Sequence, residues 1–216
     1  MAGGLLAGAG ALAALLTTAM PAQAASPVVD NPPPDKIVID IATVNGSGCP
    51  QGTAAVAVSP DNTAFTVTYS DYLAQAGGDS EPTAFRKNCQ LNLIVHVPQG
   101  FTYAIASADY RGFLALQPGA SGTQRASYYF QGSSNTAFRT HPFSGPYNDD
   151  WEATDDTDWA QLVWAPCGVL RNFNINTELR VKAGTDTDKV SFMTMDSTDG
   201  DISTVYHMAW KKCPAN

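Results

Sequence analysis

The chain has 216 residues, 44% of them hydrophobic, and its 12 Lys and Arg stand against 20 Asp and Glu for a formal net charge of -8. That balance argues against nucleic acid and anionic membrane surfaces as partners, because both are bound through basic patches. Apart from Arg86-Lys87 and Lys211-Lys212 the cations are scattered along the sequence.

The chain opens on an uncharged Ala/Leu/Gly run, Leu5 to Thr18, followed by Ala22-Gln23-Ala24, the small-x-small form that signal peptidase reads. Residues 1–25 are therefore expected to be a secretory signal peptide. The run is shorter than the roughly 20 residues a bilayer crossing needs, and no later stretch is apolar enough to span a membrane. Ser26 to Asp35 carries three consecutive prolines and reads as an extended, solvated linker. Residues 36–216 then form a single domain, long enough for one substantial core.

Lys36 to Val44 is β-branched and alternating, a first strand that ends in the turn Asn45-Gly46-Ser47-Gly48. The same residues spell an N-x-S sequon, for which turn chemistry is the better explanation. Thr53 to Ser59 and Thr63 to Ser70 make a hairpin around Pro60-Asp61-Asn62, and Asp71 to Pro82 reads as a loop with a helical turn at Tyr72 to Ala76. In Cys89, Leu91, Leu93, Val95 and Val97 apolar residues take every second position, and after Pro98-Gln99-Gly100 the alternation restarts at Phe101, Tyr103 and Ile105. A tight antiparallel pair is expected there. Asp109 to Gly112 leads into a separate strand at Phe113 to Leu116, and Gln124 to Gln131 is another. Thr136 to Asp158 lacks periodicity and reads as the longest irregular segment. Strands at Trp159 to Ala165, Glu178 to Lys182, Lys189 to Asp196 and Ser203 to Trp210 complete the set, the last two joined by a hairpin turn at Asp199-Gly200. Short strands at turn-punctuated intervals, with no capped helix, predict an all-β fold: an antiparallel β-sandwich of jelly-roll type.

Four cysteines behind an export signal read as two disulfides. Of the three connectivities open to them, Cys49 with Cys89 and Cys167 with Cys213 are favoured as sequence neighbours. Each closes a loop of about 40 to 46 residues, worth roughly 4 kcal/mol in chain entropy. A zinc site is the alternative, against which stands the lack of any short C-x-x-C spacing.

The sharpest local anomaly is the acidic run Asp149, Asp150, Glu152, Asp155, Asp156 and Asp158, flanked by Trp151 and Trp159. Clustered hard oxygen ligands suit calcium, and exposed tryptophans suit stacking on sugar rings. The competing and favoured reading is a solvated loop, since the spacing matches no defined metal-loop motif. The sequence holds no G-x-S-x-G elbow, H-E-x-x-H, P-loop or Rossmann fingerprint. His96 and His207 fall in strand patterns, and His141 sits in the irregular segment beside Pro142.

GSGCPQGT at 46 to 53, FTVTYSDY at 65 to 72, RKNCQLNL at 86 to 93, GFTYAIASADYRG at 100 to 112, YYFQG at 128 to 132, APCG at 165 to 168 and NINTELR at 174 to 180 carry a resemblance. With them the chain resembles the secreted proteins grouped as domain of unknown function 4360. The resemblance implies a small exported protein with Cys49, Cys89 and Cys167 in its pattern, and it carries no catalytic residue over to this chain. The leading expectation is a secreted, non-enzymatic sandwich that binds a cell-wall polymer, a polysaccharide or a protein surface. The alternatives are a secreted glycoside-type hydrolase working through loop carboxylates, and a structural or stress-related extracellular protein.

Overall fold

The computed structural model describes residues 30–134, 136–158, 161–195 and 203–214, so the expected signal peptide lies outside the described residues. Among the described residues twelve strands build two antiparallel sheets. The first contains β1 (Val38–Asn45), β5 (Arg86–His96), β10 (Phe173–Lys182), β7 (Ser121–Phe130) and β8 (Ala137–Ser144), in the order β1-β5-β10-β7-β8. The second contains β2 (Ala54–Val58), β3 (Ala64–Tyr69), β4 (Leu73–Ala76), β6 (Phe101–Leu116), β9 (Tyr147–Asp156), β11 (Ser191–Thr194) and β12 (Thr204–Lys212). The expected β-sandwich is present, and no described residue is in an α-helix. No helix among the described residues is long and apolar enough to cross a membrane.

The core lies between the sheets. Leu91, Leu93 and Val95 of β5 meet Ile175 and Leu179 of β10, and Tyr110, Leu114, Tyr206 and Trp210 close on them from the facing sheet. Each of these aliphatic side chains contributes about 1.5 to 3 kcal/mol by leaving water. Both disulfides pair sequence neighbours, Cys49 with Cys89 and Cys167 with Cys213, at Cα separations of 5.3 and 5.8 Å.

Strand pairing departs from the sequence reading in several places. β5 and β6 are not a hairpin. β5 is bracketed by β1 and β10 in one sheet and β6 by β12 and β9 in the other, so Pro98-Gln99-Gly100 is an arch across the core. Alternation reports which residues face inward, and it is blind to which neighbour a strand takes. β6 also runs unbroken through Asp109 to Gly112. Gly112 serves close approach there rather than a turn, because a Cβ would run into the Thr194 carbonyl and the Trp151 ring.

β11 and β12 do not form the expected hairpin either, and Asp199-Gly200 lies outside the described residues. β9 pairs with Ser107 to Leu116 of β6, overlapping the partners of both β11 and β12. Both must therefore lie along the opposite edge of β6, one after the other. Tyr72 to Ala76, expected as a helical turn, contains β4, which pairs with β11. Residues 161–165 are not a strand. Leu162 instead covers Ala104 and Ala209 on the outer face of the second sheet, and Ala165 is bonded at both N and O to β6.

The expected linker is docked in its described part. Asn62, buried and in the left-handed region (φ 58°), donates to the Pro33 and Asp35 carbonyls and accepts from the Ile37 amide, while its own carbonyl accepts from Trp210 Nε1.

Candidate functional site

Thr136 to Asp158 is largely regular: β8 and β9 occupy most of it, one on the edge of each sheet. The sequence reading of an irregular loop is corrected because its polar positions are strand positions. The alternation of β9 splits the acidic run across two faces. Asp150, Glu152 and Asp156 point outward, with Glu152 paired to Arg111 at 2.8 Å. Asp155 and Trp151 point inward, each 3% exposed, and Trp151 Nε1 donates to the Thr194 carbonyl at 3.0 Å. Trp151 thus has no free ring face for a sugar. Asp149 and Asp158 are exposed, and Trp159 lies outside the described residues. Among the described residues no three His, Cys, Asp or Glu side chains gather as a metal-binding group.

Asp155 ties the open edge of the sandwich together. Its Oδ2 accepts from Tyr110 and Tyr128 hydroxyls at 3.1 and 3.0 Å, and its Oδ1 lies 2.6 Å from His141 Nε2 of β8. Burial pushes its pKa above the ordinary 3.8, against the pull of the His141 and Tyr128 hydrogen bonds. A buried His-Asp pair invites a catalytic reading. The cavity beside Asp155 measures about 30 Å³, and both carboxylate oxygens are already engaged by the two tyrosine hydroxyls and His141.

The outer face of the first sheet is built differently. Even-numbered residues of β5, β8 and β10 and odd-numbered residues of β7 point away from the core. The register lines them up in rows. One row reads Asn45, Gln90, Asn176, Ser127 and Phe138; the next reads Thr43, Asn92, Asn174 and Tyr129. On the other side lie Asn88, Glu178, Arg125 and Thr140, then Arg86, Arg180 and Thr123. Asn92 Nδ2 donates to Asn174 Oδ1 at 2.9 Å, and Asn172 Nδ2 donates to Asn92 Oδ1. Asn176 Oδ1 is shielded from solvent and has no hydrogen-bond partner. Phe138 stands over this field 62% exposed, at the rim of a concavity of about 300 Å³ whose floor includes Gln90, Ser127, Asn176 and Glu178.

Arg86 and Arg180 both bind Glu178, the former through Nε at 2.7 Å. Burial pushes the Glu178 pKa up, but the hydrogen bonds and charges of Arg180 and Arg86 outweigh it and hold the carboxyl below its ordinary 4.5. Along β10 the face extends about 27 Å from Asn174 to Lys182 at roughly 3.3 Å per residue. A second, larger depression of about 570 Å³ lies at one end of the sandwich between the β5–β6 arch and the Cys167–Cys213 bridge, and exposed Val169 and Leu170 form part of its lining.

The amide face was missed in the sequence because its members come from β5, β7, β8 and β10. The signal was present in pieces, as Gln90-x-Asn92 and Asn174-x-Asn176 at the polar positions of alternating strands.

Fold and bridges together define a disulfide-linked, all-β sandwich of an exported kind. The chain belongs to the family described as domain of unknown function (DUF4360), whose family model matches residues 35–213. An uncharacterized secreted protein of Arthroderma benhamiae is 37% identical over 182 residues, 84% of this chain and 74% of the relative. Secretion, expected from residues 1–25, agrees with that relative's name.

Proposed function

We propose that the protein is a secreted, non-enzymatic binder of polysaccharide and that the outer face of the β1-β5-β10-β7-β8 sheet is its binding surface. The observation that carries this is the register of amides, Gln90, Asn92, Asn174 and Asn176, beside the exposed Phe138. A sugar presents hydroxyls, each both donor and acceptor, around an apolar ring. Side-chain amides offer a matching donor and acceptor on a short stem, and an exposed aromatic offers the apolar platform. Strands hold these groups in fixed geometry, which lowers the entropy lost on binding. The end groove has fewer polar side chains to orient a sugar, chiefly Gln99, Thr102 and Arg171.

The test is depletion of the mature protein from solution by insoluble cellulose, chitin, β-1,3-glucan, xylan and calcium pectate. Retention on at least one, lost in the Gln90→Ala/Asn176→Ala/Phe138→Ala variant with unchanged Tm, is expected. No retention on any polymer, or full retention by the variant, overturns the reading.

A further inference from the structure

Four of the cations that look scattered in the sequence converge in the fold. Arg86, Arg125, Arg180 and Lys182 all occupy outward positions on β5, β7 and β10. Among the outward positions of these three strands Glu178 is the one carboxylate. Arg86 and Arg180 are direct cross-strand partners, an arrangement of like charges that weakens a sheet and that Glu178 only partly relieves. Arg125 stands opposite Glu178 in register, yet it and Lys182 have no ion pair or hydrogen-bond partner among the described residues. A further depression of about 460 Å³, lined in part by Phe85, Arg180 and Lys182, continues the face beyond the arginine rows.

From this geometry we infer that the ligand of the face is an acidic polysaccharide of the polyuronate class. The arginine rows take its carboxylates and the amide rows take its hydroxyls, so the inference rests on the binding reading above. Guanidinium forks match carboxylates bidentately, and Glu178 orients two of them while leaving several N–H donors uncommitted. A net charge of -8 repels a polyanion from the molecule as a whole, so attachment has to come from this local exception. Such attachment is screened by salt.

The probe is soluble polygalacturonate beside its fully methyl-esterified form of the same length, which keeps the backbone and removes the charge. Titration calorimetry at low and at high salt is expected to give more than about tenfold tighter binding to the acid form, with the preference lost at high salt. Arg125→Gln/Lys182→Gln, which touches no internal partner among the described residues, should remove most of that preference and leave Tm unchanged. Equal binding to both forms, or an acid preference intact in the double variant, overturns the inference while the polysaccharide reading stands. Binding to neither form, together with no retention on the insoluble panel, removes both.

Discussion

Replacing Asp155 with Ala removes the acceptor on which both sheets converge at the β8/β9 edge. Tyr110, Tyr128 and His141 then lose their shared partner, and the first two are fully inside the core. A buried donor left without an acceptor costs about 1 to 3 kcal/mol, and the Tyr110 and Tyr128 hydroxyls each lose theirs. Relief of the carboxylate's own desolvation offsets part of this, so a loss of about 4 kcal/mol is expected. In urea, with a slope of roughly 2 to 3 kcal/mol/M, the midpoint should fall by about 1.3 to 2 M. Asp155→Asn keeps one acceptor and carries no charge to desolvate, and should lose less than half as much. The Asp155 pKa is raised above 3.8 in the folded state, so its contribution is fully present below that value and declines as pH rises through the raised pKa. Asn removes that decline. A midpoint for Asp155→Ala within about 0.3 M of wild type would refute the reasoning.

Asn62→Ala should cost about 3 kcal/mol, since three side-chain hydrogen bonds disappear and a Cβ residue other than Asn must hold φ 58°; hydrogen exchange at Ile37 should accelerate, and protected exchange there would contradict it. Glu178 and Asp109 both have folded pKa values below their ordinary 4.5 and 3.8, so the stability they add is present above those values and is lost as pH falls through the lowered ones. Calorimetry from pH 6 downward should show a falling Tm below about pH 4.5, with a shallower acid limb in Glu178→Gln; an unchanged limb would refute the linkage. Calcium in place of EDTA should leave Tm unmoved, whereas a site at a hundredfold its Kd would raise it by about 5 to 11 °C.

Much of the fold was legible where a residue's own neighbours decide its state. Leu91, Leu93 and Val95 announce an inward face by alternation, and Cys49 and Cys89 announce a bridge by compartment and spacing. Partner choice was not legible, because β5 and β6 are adjacent in sequence yet belong to opposite sheets. The acidic run misled for a related reason. Asp149 to Asp156 has too few apolar residues to look like a strand, but an edge strand needs apolar side chains only on its inner face. Trp151 and Ala153 supply them, and the hydrogen-bonded Asp155 takes the third inward place. The amide face depends on rows of residues that only strand register brings side by side.

In the proposed binding mode a glycan lies on the outer face of the β1-β5-β10-β7-β8 sheet. It is tested most directly by titrating the ¹⁵N-labelled mature protein with a short oligogalacturonate, and with cellohexaose as its neutral counterpart. Binding there should shift the side-chain amide resonances of Gln90, Asn92, Asn174 and Asn176 and the backbone around Arg125 and Phe138, with the Trp151 indole unmoved. Shifts confined to β9, or to the groove beside the Cys167–Cys213 bridge, would contradict it.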